Sequence, residues 1–176
     1  MIRECLRTKS LFGVLYSHEK TTEKIGCTAK VLKVIKKYDD GEIDLLTQGS
    51  QRFKIVQFDT VALHLRGWSE PYSDNDSALS PDKDEVNYLL ELYRKISYLL
   101  NKKSPEAILS SPGSESLSFQ IASALSLPKK IKQQVLEGRS ERDRVNTLTS
   151  YFIESLPSLR QMEVAAKKAG SNGNIR

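Results

Sequence analysis

Short apolar runs separated by turn residues fill the first part of the chain, up to about residue 72. Strand-favouring residues are concentrated at 11–16, 27–38, 42–48 and 52–58. Asp40-Gly41 separates the second run from the third, and Asp-Gly is a strong hairpin signal because glycine tolerates positive φ. The pattern therefore predicts a β-rich region built from hairpins.

Three stretches of this region depart from simple alternation. Adjacent apolar residues at 31–35 indicate either burial on both faces of the strand or a β-bulge. Gly49-Ser50 predicts a break between two strands. The stretch from Trp68 to Asp82, rich in Pro, Ser, Asn and Asp, predicts a loop with little burial. Between these features, 61–66 alternates cleanly, with His64 and Arg66 on the face opposite Leu65.

After residue 82 the apolar spacing changes to that of helices. Residues 82–100, 116–125 and 128–138 carry apolar side chains at intervals of three and four, and Pro128 and Gly138 bracket the third segment. Ser140 begins a Ser-x-x-acid signature, so it is the expected N-cap of a further helix. Pro157 is expected to kink or end that helix.

Strands followed by helices predict an α+β chain. We expect a β-rich subdomain at 1–72, a linker at 73–82, a helical bundle subdomain at 83–169 and a disordered tail at 170–176.

Composition and charge limit the function classes. The 176 residues carry a net charge of +5. Residues 68–128 are acidic and the segments on either side are basic, a distribution that is typical of a solvated surface and not of a basic stripe. No apolar run reaches the length of a membrane span, and Cys5 and Cys27 form no metal-ligand cluster. We expect a cytoplasmic protein with reduced thiols, no cofactor and no metal.

Motifs in both halves of the chain resemble one family. The β-rich half carries Gly26-x-x-Ala29-Lys30-Val31, then Asp40-Gly41, then Gly49-x-x-Arg52-Phe53-x-Ile55. The helical half carries Ile121-Ala122-x-x-Leu125-x-Leu127, then Lys132-Gln133-x-x-Leu136-Glu137, then Arg144-Val145. In order and spacing these are similar to the N-terminal, substrate-binding domain of Lon proteases, over about residues 1–157.

The resemblance implies a twisted, PUA-like β pseudobarrel followed by helices. Residues 1–6 look like the family's short helix, so we expect the first strands of the barrel to be missing, through a misplaced start codon or because the protein is a degenerate copy. The sequence has no G-x-x-x-x-G-K-[ST] motif, and no motif selects a nucleophilic serine. We therefore expect a non-catalytic module, although homology to Lon proteases could lead to its classification as an ATP-dependent peptidase.

The implied partners are unfolded or tagged polypeptides, with a separate ATP-dependent protease as a further partner and no membrane. Trp68, Arg66, His64 and Arg52 are the candidate substrate-binding residues. Trp68 would serve as an apolar anchor, and the alternative is that it packs between the two subdomains. For Arg52 the alternative is a role in tying the turn at Gly49.

Two other function classes are open. An RNA-binding PUA-like module would use the basic strand with Lys30, Lys33, Lys36 and Lys37, but the few aromatic residues are not interleaved with these lysines, which makes nucleic acid an unfavoured partner. A cryptic hydrolase is the third class, and no residue pattern supports it.

Overall fold

The computed structural model of the chain describes residues 1–19, 21–59, 65–75, 80–101 and 116–171. The chain divides into two compact units, Met1–Ser73 and Asp74–Arg176. The first unit contains helix α1 (Ile2–Thr8) and strands β1 (Phe12–His18), β2 (Thr21–Lys37), β3 (Ile43–Asp59) and β4 (Arg66–Pro71). The second unit contains α2 (Lys83–Asn101), α3 (Leu117–Ala124), α4 (Lys129–Glu137) and α5 (Glu141–Ser171). The α+β class is confirmed, whereas the predicted domain limits stay a prediction.

The four strands form one antiparallel sheet in the order β1-β2-β3-β4. β1 pairs with β2 only as far as Ala29, and β4 pairs with β3 only from Phe53 onwards. The far end of the β2–β3 hairpin, residues 30–37 with 43–48, thus extends beyond both neighbouring strands, and we call it the β2–β3 arm. Among the described residues β1 and β4 lie at the sheet edges, so closure into a barrel stays a prediction.

The hairpin turn predicted at Asp40-Gly41 is confirmed. The backbone amide of Gly41 donates to the carbonyl of Tyr38 at 3.1 Å, and the amide of Tyr38 donates to the carbonyl of Glu42 at 2.9 Å. Gly41 has a φ of 92°, which a residue with a Cβ rarely adopts. This is the common three-residue hairpin loop, a tight turn followed by a left-handed residue.

Bulges account for the irregular stretches of β2 and β3. The pairing shifts between Val31 and Lys33 and again between Val34 and Lys36, so the bulge alternative for 31–35 is confirmed. The break predicted at Gly49-Ser50 is wrong, because β3 continues through it. There the Thr28 hydroxyl accepts from the amide of Gln51 at 3.0 Å and donates to its carbonyl at 3.1 Å, which satisfies the backbone at an irregular point of the ladder.

The loop predicted from Trp68 is also wrong at its beginning. Residues 66–71 form β4, held by pairing with β3, although all six residues are exposed as expected of a loop. Cross-strand hydrogen bonds thus override a composition that is typical of loops. The alternating segment at 61–64 lies outside the described residues.

The second unit has a continuous apolar core to which all four helices contribute. Its buried members are Leu89, Leu92, Tyr93, Ile96, Ile121, Ala122, Leu125, Leu127, Val135, Val145, Leu148 and Phe152. They follow the predicted helical spacing. Within 82–100 the face expected to be buried included Leu100, which is exposed, and left out Leu92, which is buried. Pro157 does not end α5, which is helical from Glu141 to Ser171.

Side chains cap two of these helices. The Ser140 hydroxyl accepts from the amide of Asp143 at 3.0 Å, which confirms the predicted N-cap of α5. At the start of α2, Asp82 and Glu85 exchange side-chain to backbone hydrogen bonds at 2.8 and 2.9 Å, a complete capping box. The acidic residues of this turn therefore stabilise a helix.

Arg144 on α5 organises the start of the second unit. Its guanidinium donates two hydrogen bonds to Asp74 at 2.7 and 2.8 Å and others to Glu141, Ser118 and the carbonyl of Gly138. A Cβ at Gly138 would lie 2.6 Å from the Cγ of Arg144, so only glycine permits this approach. Burial lowers the pKa of Arg144, but the hydrogen bonds that the guanidinium donates to Asp74 and Glu141 outweigh burial and raise the pKa above its ordinary value.

Candidate functional site

Trp68 lies in the middle of edge strand β4 and points into solvent. Its backbone is opposite Gln57 on β3, and its side chain is 63% exposed. It is the only tryptophan of the chain. Such a large apolar side chain on a strand edge is available for contact with another molecule. The alternative, packing of Trp68 between the two units, stays a prediction.

The neighbours of Trp68 on the same face of β4 are polar or amphipathic. Strand alternation places Glu70 and Tyr72 beside it. Glu70 pairs with Lys54 across the ladder, with Oε1 3.3 Å from Nζ, and both side chains are exposed. Such an exposed ion pair contributes little to stability. This face thus combines one apolar anchor with a polar border.

Arg52 belongs to the same face but has a different role from the predicted turn contact. Its guanidinium carbon lies 5.3 Å from the centroid of the Tyr72 ring, a cation–π distance, and its carbonyl accepts from the amide of Tyr72 at 3.0 Å. Because no turn exists at Gly49, the proposed tie to that turn is wrong. Arg52 instead fixes the end of β4 against β3.

Arg66 lines a surface cavity of about 360 Å³ next to β4. The floor of the cavity is apolar, and Phe53 and Ile55 within it are buried. Its other apolar lining residues are Leu15, Phe58, Leu65 and Met1. Arg66 sits opposite Asp59 at the beginning of β4. The cavity could hold one large apolar side chain with a polar group at its rim. His64 lies outside the described residues.

Within the described part of the chain, no three His, Cys, Asp or Glu side chains are grouped as a metal site would require. Both cysteines are free. No helix in this part is long and apolar enough to cross a membrane. The region around Trp68 combines an exposed apolar side chain, charged side chains and an apolar cavity, which are features typical of a binding surface.

Sequence reasoning missed the cavity and a group of exposed aliphatic residues on the β2–β3 arm, Leu32, Ile35 and Leu46. The poor alternation at 31–35 was the available signal for the arm. The cavity gave no local signal, because its walls come from Met1 and from all four strands.

Comparison with known protein families gives one match, and it covers most of the chain. The profile of the ATP-dependent protease La (LON) substrate-binding domain matches residues 1–152 of the 176. The chain belongs to the Lon substrate-binding domain family. A comparison with curated protein sequences finds no match.

Solved structures agree with this membership at the level of the fold. The chain is similar to a Lon N-terminal domain protein from Xanthomonas campestris, with a TM-score of 0.59 and 19% identity over 85% of this chain and 80% of that one. It is also similar to the N-terminal domain of Mycobacterium avium complex Lon protease, with a TM-score of 0.53 and 15% identity over 81% and 76% of the two chains. This Lon-family chain therefore shares their sheet followed by helices.

Proposed function

We propose that this Lon-family domain captures unfolded or tagged polypeptides without catalysing a reaction on them. It would act as a chaperone-like binder or as an adaptor that delivers substrate to a separate ATP-dependent protease. Family membership supports the binding of protein substrates in general. The capture role and the delivery role are the further steps that we propose.

The exposure of Trp68 on an edge strand is the observation that carries the proposal. An extended polypeptide can hydrogen-bond to the edge of β4 that no described strand pairs with, while its side chains reach Trp68 on one face and the cavity near Arg66 on the other. Unfolded chains expose apolar side chains and backbone together, so this combination suits them. A tightly folded partner would offer neither.

Fluorescence of the single tryptophan tests this proposal directly. We expect a tryptophan-free unfolded polypeptide to shift the Trp68 emission to shorter wavelength, because the indole leaves water on binding. Anisotropy of the labelled polypeptide should show about tenfold weaker binding to Trp68→Ala. Tyr98→Ala is the matched control, since Tyr98 on α2 is 62% exposed and should leave the affinity unchanged.

The same assay separates polypeptide capture from RNA binding. Apolar capture should change little between about 50 and 200 mM salt, whereas binding through phosphate contacts falls steeply over that range. An affinity for single-stranded RNA that falls with salt, together with no polypeptide signal, would contradict the proposal. Equal effects of Trp68→Ala and Tyr98→Ala would place the binding surface elsewhere.

A further inference from the structure

Two bulges three residues apart change which side chains of the β2–β3 arm face solvent. Lys33 pairs with Leu46 and Lys36 with Asp44, while Leu32 and Ile35 are the extra residues that the ladder leaves unmatched. In the usual bulge geometry the extra residue and its successor oppose one partner residue, so both point to the side of that partner. Leu32 and Ile35 thus join Leu46 and Asp44 on one face.

Burial along the arm agrees with this assignment. Val31, Val34, Ile43 and Leu45 are half-buried and form the other face. Leu32, Ile35 and Leu46 are 53%, 58% and 50% exposed. The sequence from Val31 to Lys36 therefore has a period of three, and the bulges convert it into one covered face and one exposed face. Strict alternation would have divided the same residues differently.

The exposed face is basic as well as aliphatic. Lys30, Lys33 and Lys36 are exposed and, by the register, lie beside the three aliphatic side chains. The acidic residue on this face, Asp44, accepts a hydrogen bond from the Tyr38 hydroxyl at 2.8 Å, which raises the pKa of Tyr38. The face therefore presents three aliphatic side chains and a fringe of positive charge. We call these six residues the arm patch.

We propose that the arm patch binds an acidic amphipathic segment of a partner protein, through its aliphatic centre and its three lysines. Exposed aliphatic residues favour burial against another apolar surface, and the lysines select carboxylates around it. The site is separate from Trp68. Leu46 and Gln57, the residue opposite Trp68, are eleven positions apart on β3, up to about 36 Å along the strand.

Nucleic acid fits the arm patch less well than an acidic protein segment does. Single strands bind where bases stack on free aromatic rings. The ring of Tyr38, two residues after Lys36, is already in contact with the patch, because Lys36 Nζ lies 4.3 Å from its centroid. Lysines on a strand edge also prevent that edge from pairing with other chains. Protection of the edge would explain the three lysines but not the three exposed aliphatic residues between them.

The test uses the full chain and two short labelled peptides. Both carry leucines at helical spacing, and glutamates flank the leucines in one peptide where lysines flank them in the other. We expect binding of the glutamate peptide and none of the lysine peptide. The double variant Leu32→Ser/Ile35→Ser should weaken binding about tenfold, and Lys30→Glu/Lys33→Glu should reverse the preference between the peptides. Trp68→Ala should leave this binding unchanged.

The outcomes distinguish the arm patch from the polypeptide-binding surface proposed around Trp68. Loss of glutamate-peptide binding in Trp68→Ala would overturn a distinct arm site, whatever the fate of the capture proposal. Equal binding of both peptides, or binding of single-stranded RNA that is lost with Lys30→Glu/Lys33→Glu, would also overturn it. The charge-reversal variant changes exposed residues alone, so it decides the question even if the double serine variant fails to fold.

Discussion

The two units of the chain bury their apolar side chains to different degrees. In the helical unit Leu89, Ile121, Leu148 and Phe152 are completely inaccessible, whereas the buried apolar residues of the β unit keep 5–9% of their surface. The β unit also exposes aliphatic and aromatic residues on all four of its strands, namely Val14, Leu32, Ile35, Leu46, Val56 and Trp68. Burial stabilises a fold, and exposed apolar surface is available for binding. The helical unit thus has the more completely buried core, and both surfaces that we propose for binding lie on the β unit.

The largest expected effect that would test this contrast comes from Phe152→Ala on α5. The side chain is fully buried in the helical core, so its removal leaves a cavity and should lower the free energy of unfolding by about 3–5 kcal/mol. Chemical denaturation followed by circular dichroism measures the change. Ile153→Ala is the control, because the neighbouring side chain of Ile153 is 47% exposed and its removal should cost well under half as much unfolding free energy. Equal losses would contradict the contrast.

Arg144→Met should have the next largest effect. The variant leaves Asp74, Glu141 and the Ser118 hydroxyl without the guanidinium that they contact, which should cost about 3 kcal/mol of unfolding free energy. Arg142→Met removes a more exposed pair with Glu85 and should cost less than about 1 kcal/mol.

The loss in Arg144→Met should not depend on pH around neutrality. A raised pKa stabilises the fold at every pH below the unfolded-state value, and that contribution disappears only as pH rises through the folded-state value. Both values of an arginine are strongly alkaline, so its charge persists. Denaturation at about pH 6 and pH 9 should therefore give the same difference between Arg144→Met and the unmodified chain. If the loss of unfolding free energy in Arg144→Met were smaller at pH 9 than at pH 6, the guanidinium charge would not be the cause of that loss.

The smallest effect concerns a polar group inside the same core. Among the described residues the buried hydroxyl of Ser97 has no hydrogen-bond partner. Ser97→Ala should be neutral or should stabilise the helical unit by up to about 1 kcal/mol, as measured by thermal or chemical unfolding. Ser118→Ala is the matched control, because that buried hydroxyl contacts both Arg144 and Glu141 and should cost about 1–2 kcal/mol. Destabilisation by Ser97→Ala would indicate that its hydroxyl is satisfied in solution.

Local signals in the sequence predicted the features that depend on local physics. The turn at Gly41, the cap at Ser140 and the helical spacing of the core each depend on a few neighbouring residues. β4 was missed because its stability comes from pairing with β3, which composition does not reveal. Leu92 lies three residues after Leu89 and four before Ile96, so the helical spacing does include it and its burial could have been predicted.

The candidate site was only partly accessible to the same reasoning. Trp68 attracted notice as the single tryptophan, and its exposure agrees with an anchor, but its role stays a prediction. The cavity and the arm patch depend on which strands meet and where bulges fall. Strand pairing and bulge positions depend on contacts between residues that are distant in sequence. The pattern along one strand could therefore show only that its alternation is interrupted.

Because of its two bulges, β2 spans with eight residues, 30–37, the length that β3 spans with six, 43–48. Removing Leu32 or Ile35 would delete one bulge and restore alternation on that side of the hairpin. Every remaining residue of the arm would keep its present partner on β3, so the lysines would stay on the exposed face while the arm patch lost one aliphatic side chain. A one-codon deletion would thus weaken the aliphatic centre of the arm patch while leaving its register and every charge of the chain in place.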